Sequence, residues 1–490
     1  MTEVTEQHRV VVIGGGATGT SVLFQLARAL DDRWLPLEVV VVERGTPGPG
    51  RAFGPGPDEH ILNLSADVMS IDVDDPASFV RWLERQERHS AIQSETYPPR
   101  YVFGEYLSEV AQEAMRHLVS KGAVVKVVAD DATGVARRQG GGHRVLCRGG
   151  DVIDADVTVL AVGHLASDQL DHLRGRSGYV PSPYDDIDVD SSASVAIVGS
   201  RLSAIDAALA LAASGHRGPI TLCSRSGRLP KIIGPSQPYQ RTVLLDDVVE
   251  QLGHGTMELE HVAGLVQAEI EAAEGRSLDW KAVLDPPPTT SESLRAELEL
   301  VEAGRLRAWQ SVLIEIYPVV PKLWSALTPA SKASFLDGLY SLWMMYLAAF
   351  PALSARRILS LMDRGQLDVQ PGLRHVEAAD DGFRLHLATG AELSAAVVVN
   401  GCGPGYDVSV SGGPLLQSLV NKGLGQASPF GGLAVAPTSL ELVSASGEAS
   451  VGLFAVGDLT RGEWLATADV AQSVRQTRRL MDSIEEVLLR

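Results

Sequence analysis

The stretch RVVVIGGGATGTSVLFQLARAL, residues 9–30, decides the fold. Residues 10–13 form an unbroken β-branched run, which is typical of a strand buried on both faces. Three glycines follow in the spacing Gly-x-Gly-x-x-Gly, and apolar residues then recur at helical spacing. Gly14 permits the tight turn, Gly16 lets a pyrophosphate approach the backbone, and Gly19 lets the helix pack against the strand. The stretch therefore predicts a strand, turn and helix that bind a dinucleotide.

The next predicted strand indicates which dinucleotide. The segment LEVVVVERG, residues 37–45, is a second β-branched run, and it ends in Glu43. A carboxylate at this position accepts hydrogen bonds from an adenosine ribose and repels a 2′-phosphate. The pattern favours FAD or NAD over NADP, and a glycine turn without a ligand is the alternative. The residues expected to bind the cofactor here are Gly14, Gly16, Ala17, Thr18, Gly19, Glu43 and Arg44.

A second strand–turn–helix pattern lies in the middle of the chain. The segment SVAIVGSRLSAIDAALAL, residues 194–211, repeats the pattern with Arg201 in place of the second glycine. The strand that follows ends in Ser224 and Arg225. An arginine there can contact a 2′-phosphate, so this site favours NADPH, with Arg201 as a cation beside the pyrophosphate. The alternative is a Rossmann-like unit that binds no ligand. The candidate NADP-binding residues are Gly199, Ser200, Arg201, Ser203, Ser224, Arg225 and Arg228.

The composition excludes several classes of protein. With a net charge of −19 over 490 residues, the chain lacks the basic field that collects nucleic-acid phosphates. Cys147, Cys223 and Cys402 lie far apart, so neither a dithiol redox centre nor a thiolate metal site is expected. The scarcity of cysteine fits a reducing cytoplasm. Because no apolar run approaches ~18 residues, we expect a cytoplasmic protein without a membrane partner.

Further motifs resemble the FAD–NAD(P)-binding family. The resemblance covers both ends and the middle of the chain, with residues 240–360 poorly matched. The layout is also similar to that of N-hydroxylating flavoprotein monooxygenases, whose Gly-x-x-x-Ser-Ala turn for NADPH is matched by Ser203 and Ala204. The motifs are GPGRAFG (48–54), HILNLSADVMSIDVDDPASFVRWLERQ (60–86), YPPRYVFGEYLSEVAQEAM (97–115), VTVLAVGH (157–164), VVVNGCGPGYD (397–407) and GLFAVGDLTRG (452–462).

This resemblance implies further contacts with FAD. It places Asp458 at the ribityl–phosphate part of the cofactor, although from the residues alone LFAVGD is a strand that ends in Gly-Asp. The chain departs from the family layout at 342–351 and 463–474, where substrate is expected, so no particular substrate is implied. The residues expected near the isoalloxazine are Asn63, Leu64, Ser65 and Met69, and Arg51 and Gly163 from two of the motifs are added as FAD-binding candidates.

Together these patterns predict an α/β chain with two Rossmann-like dinucleotide-binding domains and a mainly helical insertion. Residues 1–185 and 395–490 are expected to form the FAD-binding domain. Residues 190–240 and 360–395 are expected to form the NADP-binding domain, and residues 241–359 the helical insertion, which could cover the substrate.

Two dinucleotide sites without redox cysteines restrict the chemistry. The leading interpretation is an NADPH-dependent flavin monooxygenase that transfers oxygen from a C4a-hydroperoxyflavin to the amine of a small metabolite. Its partners would be that substrate and molecular oxygen, and no catalytic side chain is assigned. The alternatives are a flavin-dependent NAD(P)H reductase or dehydrogenase without oxygen insertion, and a non-catalytic dinucleotide-binding protein. The sequence argues against a disulfide reductase, and it is compatible with a homo-oligomer.

Overall fold

A computed structural model describes residues 7–30 and 32–490. The strands are β1 (His8–Ile13), β2 (Leu37–Val42), β3 (Val124–Val128), β4 (Ala132–Arg137), β5 (His143–Cys147), β6 (Val152–Ala155), β7 (Val157–Leu160), β8 (Tyr179–Val180), β9 (Val195–Val198), β10 (Ile220–Cys223), β11 (Leu367–Gln370), β12 (Leu373–Ala379), β13 (Gly382–Leu387), β14 (Glu392–Ala395), β15 (Val397–Asn400), β16 (Glu441–Val443) and β17 (Ala449–Ala455).

The α-helices are interleaved with these strands. They are α1 (Ala17–Ala29), α2 (Ser78–Glu84), α3 (Arg100–Ser120), α4 (Leu202–Ala213), α5 (Asp246–Gln251), α6 (Leu259–Glu274), α7 (Trp280–Leu284), α8 (Ser291–Glu302), α9 (Ala308–Ile316), α10 (Val320–Ala326), α11 (Pro329–Ser334), α12 (Tyr340–Leu347), α13 (Ala352–Asp363), α14 (Val408–Ser411), α15 (Gly413–Asn421), α16 (Arg461–Trp464) and α17 (Val470–Leu488). A π-helix, Phe335–Leu339, leads into α12, and a 3-10 helix, Gly457–Thr460, precedes α16.

The chain divides into two compact units. The first comprises the residues up to Gly56, Leu64–Ala166 and Gly405–Arg490. The second comprises Pro57–Asn63 and Ser167–Pro404.

The first unit is built on one largely parallel sheet. Among the described residues its strand order is β16-β17-β7-β1-β2-β3, and only β16 runs antiparallel to its neighbour. Val10, Val11 and Val12 of β1 are fully buried, as the unbroken β-branched run predicts. Helix α1 packs against α3 and α17. The sheet and these helices bury one hydrophobic core.

The second unit repeats this plan. Its parallel sheet has the order β11-β10-β9-β15-β8 within the described chain, so β9 is central, as β1 is in the first unit. Helix α4 follows β9, and α13 packs against α4. In each unit a three-stranded antiparallel sheet, β4-β5-β6 or β12-β13-β14, precedes the strand that returns beside the central one. The prediction of two Rossmann-like domains in an α/β chain is confirmed.

Helices α5 to α12 all fall within the predicted insertion, and they belong to the second unit. The bounds of the first unit differ from those predicted for the FAD-binding domain. Residues 167–185 and 395–404 lie in the second unit because β8 and β15 pair in the second sheet.

The chain leaves and re-enters the first unit at neighbouring points. Leu165 and Gly405 form an antiparallel bridge, and the N–H of Gly405 donates to the carbonyl oxygen of Leu165 at 3.2 Å. Among the residues that the structure describes, no helix is both long and apolar enough to cross a membrane.

Candidate functional site

The turn between β1 and α1 requires glycine at two positions. Gly14 has a φ of +99°, and a Cβ there would collide with the carbonyl group of Ala161, at the end of β7. A Cβ at Gly19 would collide with the carbonyl oxygen of Gly14. The first and third glycines therefore allow α1 to approach the strands closely, as the sequence predicts.

Gly16 is needed for space and not for its conformation. It is the N-cap of α1, and its φ of −67° and ψ of −164° are open to any residue. A Cβ there would lie 3.3 Å from Cα of Gly50, whose loop passes over the turn. No side chain of the described residues caps α1, so its first N–H groups, including those of Ala17 and Thr18, are available to an anion. This cradle fits the diphosphate of a dinucleotide.

Glu43 follows β2 and faces the same turn. Its Oε2 accepts a hydrogen bond from the N–H of Gly15 at 2.7 Å, and its Oε1 accepts one from Gly45 at 3.1 Å. The carboxylate is half-buried, and its oxygens retain lone pairs for ribose hydroxyls. Arg44 is exposed and pairs with Asp131 at 3.0 Å. The carboxylate fits an adenosine ribose at this position.

The ends of β7 and β17 bring a second group of polar residues together. Nδ1 of His164 lies 2.9 Å from Oδ2 of Asp458, and Thr467 donates to Oδ1 of Asp458 at 3.1 Å. Burial disfavours the charged form of Asp458, but the hydrogen bond from His164 and the neighbouring cations hold its pKa below its usual value. Gly163, beside His164, has a φ of +72°, and within the described chain no atom other than those of its two chain neighbours lies within 4 Å of where its Cβ would be.

A close contact links this group to the glycine turn. A Cβ at Gly457 would lie 3.1 Å from Oγ1 of Thr18, in the first turn of α1. The same hydroxyl donates to Oγ of Ser473, in α17, at 3.4 Å. The predicted residues Thr18 and Asp458 are therefore near one another, at the carboxyl edge of the first sheet.

Asp469 begins α17 and has an unusual environment. Its Oδ1 accepts a hydrogen bond from the N–H of Gln472 at 2.8 Å, which caps the helix. Its Oδ2 is buried and has no hydrogen-bond partner among the described residues. Burial raises the pKa of Asp469 to about 6. A short sequence pattern would not single out this aspartate.

The other predicted FAD contacts are more scattered. Met69 is buried, Ser65 is half-buried and Leu64 is exposed, all in the first unit. Asn63 is assigned to the second unit. Arg51 is exposed and follows Gly50, which touches Gly16. Within the described chain, no side chain of Asn63, Leu64, Ser65 or Met69 hydrogen-bonds to the glycine turn.

The turn between β9 and α4 follows the same geometry with different residues. Gly199 has a φ of +131°, and a Cβ there would collide with the carbonyl oxygen of Gly401, at the end of β15. Arg201 is the N-cap of α4 in an extended conformation, with a φ of −98°. The position of the second glycine therefore accepts a side chain without backbone strain.

Ser200 and Ser224 connect this turn to the end of β10. Oγ of Ser200 lies 2.9 Å from Oγ of Ser224, and it donates to the carbonyl oxygen of Arg228 at 2.8 Å. Ser224 also accepts a hydrogen bond from the N–H of Gly227 at 2.9 Å. Ser203 lies 3.3 Å from the hydroxyl of Tyr184.

The arginines of the second site differ in their surroundings. Arg201 donates to the carbonyl oxygen and the hydroxyl of Ser341, in α12, and burial lowers its pKa to about 10. Arg228 pairs with Asp285 at 2.6 Å. Nη1 of Arg201 and Nε of Arg228 are buried without a partner among the described residues. Arg225 is exposed, and its guanidinium makes no hydrogen bond or ion pair with them. These donors fit an anionic ligand.

The three cysteines form no disulfide among the described residues. Cys147, Cys223 and Cys402 are free, and burial raises the pKa of both Cys223 and Cys402 to about 12. Within the described chain, no group of three or more His, Cys, Asp or Glu side chains is arranged to hold a metal ion.

Sequence reasoning missed the residues that surround the predicted ones. His164 and Thr467 bind Asp458; the available signals were that His164 ends the motif VTVLAVGH and that Thr467 lies shortly after the motif GLFAVGDLTRG. Ser341 and Asp285 bind the arginines from segments 140 and 57 residues away, which no local pattern indicates.

Comparison with known proteins agrees with this architecture. Residues 11–165 match the FAD-NAD(P)-binding family. The chain is 24% identical over 444 residues to the uncharacterized protein YdhS of Escherichia coli (strain K12), a match that covers 77% of this chain and 78% of YdhS.

Solved structures share the fold at low sequence identity. Ornithine hydroxylase (PvdA) from Pseudomonas aeruginosa has a TM-score of 0.58 and 13% identity, over 99% of this chain and 100% of that one. L-Lysine 6-monooxygenase from Pseudomonas syringae has a TM-score of 0.58 and 14% identity, over 98% and 99%. Bacillithiol disulfide reductase Bdr (YpdA) from Staphylococcus aureus has a TM-score of 0.52 and 13% identity, over the same shares. The resemblance to the FAD–NAD(P)-binding family is confirmed.

Proposed function

We propose that the protein is an NADPH-dependent flavin monooxygenase. It acts on the amine nitrogen of a small metabolite. The match of residues 11–165 to the FAD-NAD(P)-binding family supports the two cofactors of this proposal. The observation that carries this proposal is the presence of two glycine turns of the same geometry, of which the first is faced by a carboxylate and the second by a hydroxyl with arginines.

The first turn holds FAD. The N–H groups of Ala17 and Thr18 and the approach that Gly16 permits receive the diphosphate. Glu43 accepts hydrogen bonds from the adenosine ribose. The resemblance of the chain to flavoproteins adds Arg51, Asn63, Leu64, Ser65, Met69, Gly163 and Asp458.

The second turn holds NADPH. The exposed guanidinium of Arg225 receives the 2′-phosphate, and no carboxylate stands at the end of β10 to repel it. The buried donors of Arg201 and Arg228 add positive charge near the turn. Gly199, Ser200, Ser203 and Ser224 complete this site.

When bound, FAD supplies the acceptance of hydride from NADPH and the activation of oxygen. The chain binds and orients the cofactors and keeps water from the reacting atoms. The names of two solved structures support an amine substrate. Ornithine and lysine, after which two solved structures of this fold are named, both carry a side-chain amine.

The second candidate function is a flavin-dependent NAD(P)H reductase that inserts no oxygen. The bacillithiol disulfide reductase fold favours it. A dithiol mechanism does not fit this chain, because Cys223 and Cys402 are held as thiols by burial.

The stoichiometry of the reaction tests the proposal. Consumption of NADPH and oxygen and release of hydrogen peroxide are measured across a panel of small amines. A substrate of a monooxygenase lowers peroxide release and yields one oxygenated product for each NADPH. Peroxide in the same amount with every amine would contradict oxygen insertion and favour the reductase.

A further inference from the structure

His164 and Asp458 form an ion pair at the carboxyl edge of the first sheet. Nδ1 of His164 lies 2.9 Å from Oδ2 of Asp458. His164 ends the segment after β7, and Asp458 follows β17, which pairs with β7. Because β7 also pairs with β1, the pair lies at the same edge as the glycine turn. Parallel sheets bind nucleotides at this edge.

The two residues differ in what they present to a ligand. The side chain of Asp458 is 7% exposed, and both of its oxygens already accept hydrogen bonds, from His164 and Thr467. The side chain of His164 is 43% exposed, and its Nε2 makes no hydrogen bond with any described residue. The imidazole of His164 is therefore the more exposed of the two groups, and its Nε2 is the one directed contact that the pair still offers to a ligand outside it.

The space next to His164 is open on the side of its neighbour Gly163. Apart from the two chain neighbours of Gly163, no atom of the described residues lies within 4 Å of the place where a Cβ of Gly163 would be. A Cβ added at Gly457 would lie 3.1 Å from Oγ1 of Thr18. The turn that carries Asp458 therefore lies next to the first turn of α1. The first turn of α1 is where the diphosphate of a dinucleotide fits.

We propose that His164 is a cationic ligand of the FAD diphosphate and that Asp458 is the positioning residue that holds it. The inference rests on the proposed binding of FAD by the first unit. Nδ1–H of His164 donates to Asp458, and Nε2–H donates to a phosphate oxygen. This arrangement assigns to His164 a contact that the sequence resemblance places on Asp458.

The charges around His164 support its cationic form. Burial opposes the charged imidazole, but the hydrogen bond and the charge of Asp458 outweigh it and raise the pKa of His164. Arg461 opposes them with a like charge. Since the diphosphate keeps its charge, FAD affinity is expected to be highest below the pKa of His164 and to fall as pH rises through it.

The experiment is a titration of FAD into the flavin-free full-length protein from about pH 5.5 to about pH 9. His164→Gln should bind FAD about 10-fold more weakly than the unmodified protein at low pH and should lose the pH dependence. His164→Arg keeps a charge at every pH, so it should retain affinity without the pH dependence. Asp458→Asn should move the fall in affinity to lower pH. His117→Gln, on the exposed end of α3, is the matched control and should change nothing.

The outcomes separate this inference from the function on which it rests. An unmodified protein that binds no FAD at any pH overturns the proposed function. If the unmodified protein and His164→Gln bind FAD equally tightly at low pH, only the role of His164 is overturned. A midpoint potential that changes in His164→Gln while the affinity for oxidised FAD does not also overturns it, since the cation would then face the reduced ring.

Discussion

Glu43 and Ser224 occupy equivalent positions in the two units. Each follows the strand that comes after the helix of its glycine turn, β2 or β10, and each hydrogen-bonds the residue after the first glycine of that turn: Glu43 with the N–H of Gly15 at 2.7 Å, and Ser224 with the hydroxyl of Ser200 at 2.9 Å. A carboxylate at this place repels a 2′-phosphate, and a hydroxyl does not. The two units therefore differ in charge at one shared position.

This equivalence predicts the effect of placing a carboxylate in the second unit. Ser224→Glu should lower kcat/KM for flavin reduction by NADPH by about 10-fold or more, because two like charges are brought together. NADH, which lacks the phosphate, should be affected much less. Ser224→Ala is the matched control for loss of the hydroxyl. An equal loss with both cofactors in Ser224→Glu would show that the end of β10 does not face the 2′-phosphate.

Arg225 is expected to favour NADPH over NADH, because its guanidinium attracts the 2′-phosphate. Arg225→Ala removes a charge-assisted contact worth about 1.5–3 kcal/mol, so kcat/KM with NADPH should fall about 10- to 100-fold. The value with NADH should change far less. Arg201→Ala should impair both cofactors about equally, because the proposed position of Arg201 is beside the pyrophosphate. An unchanged ratio of NADPH to NADH use in Arg225→Ala would remove the NADP assignment.

The purified protein is expected to be yellow and to carry one non-covalent FAD, and Gly16→Val should abolish that binding while leaving the protein folded. Valine can adopt the extended backbone of Gly16, but its side chain would fill the approach of the diphosphate and meet Gly50. Flavin absorbance and circular dichroism measure the two effects. Gly45→Ala is the control, because its Cβ would make an ordinary 3.8 Å contact with Glu43. A Gly16→Val protein that keeps its flavin would show that the turn has only a structural role.

Asp469 should make the stability of the flavin-free protein depend on pH. Its pKa is raised to about 6 in the folded state by burial, so the folded protein holds the proton more tightly than the unfolded chain does. The free energy of unfolding should therefore fall as pH rises from about 4 to about 6.

Asp469→Asn keeps an acceptor for the N–H of Gln472 and carries no charge. At pH 7 the variant should be more stable than the unmodified protein by about 1–3 kcal/mol, and near pH 4 the two should be equal. Urea unfolding at both pH values measures this difference. A constant difference between the two proteins would mean that Asp469 does not titrate in this range.

The local elements of the first site could be predicted from the sequence because each depends on neighbouring residues. The β-branched run gives β1, and the glycine spacing gives the turn before α1, since a Cβ at Gly14 or Gly19 has no room. The residue after β2 follows from the same local pattern. These features need no knowledge of the distant chain.

Features that depend on distant segments could not be predicted in this way. Arg201 binds Ser341, which lies 140 residues further along the chain. The sequence VVVN of β15 is as apolar as that of β7, so composition does not indicate which of the two sheets it joins. Its pairing with β9 is what places it in the second unit.

The larger part of the second unit, Ser167–Pro404, is inserted in the chain of the first unit between Leu165 and Gly405, which form a bridge. The two ends of this inserted segment lie side by side, so a few residues could join them. The strands β7 and β17 would then remain paired in the sheet of the first unit. Because the first unit closes across one bridge, a segment inserted there can be gained, lost or exchanged while the strands of the first unit keep their pairing. During evolution, a unit with this topology could thus have been combined with different inserted domains.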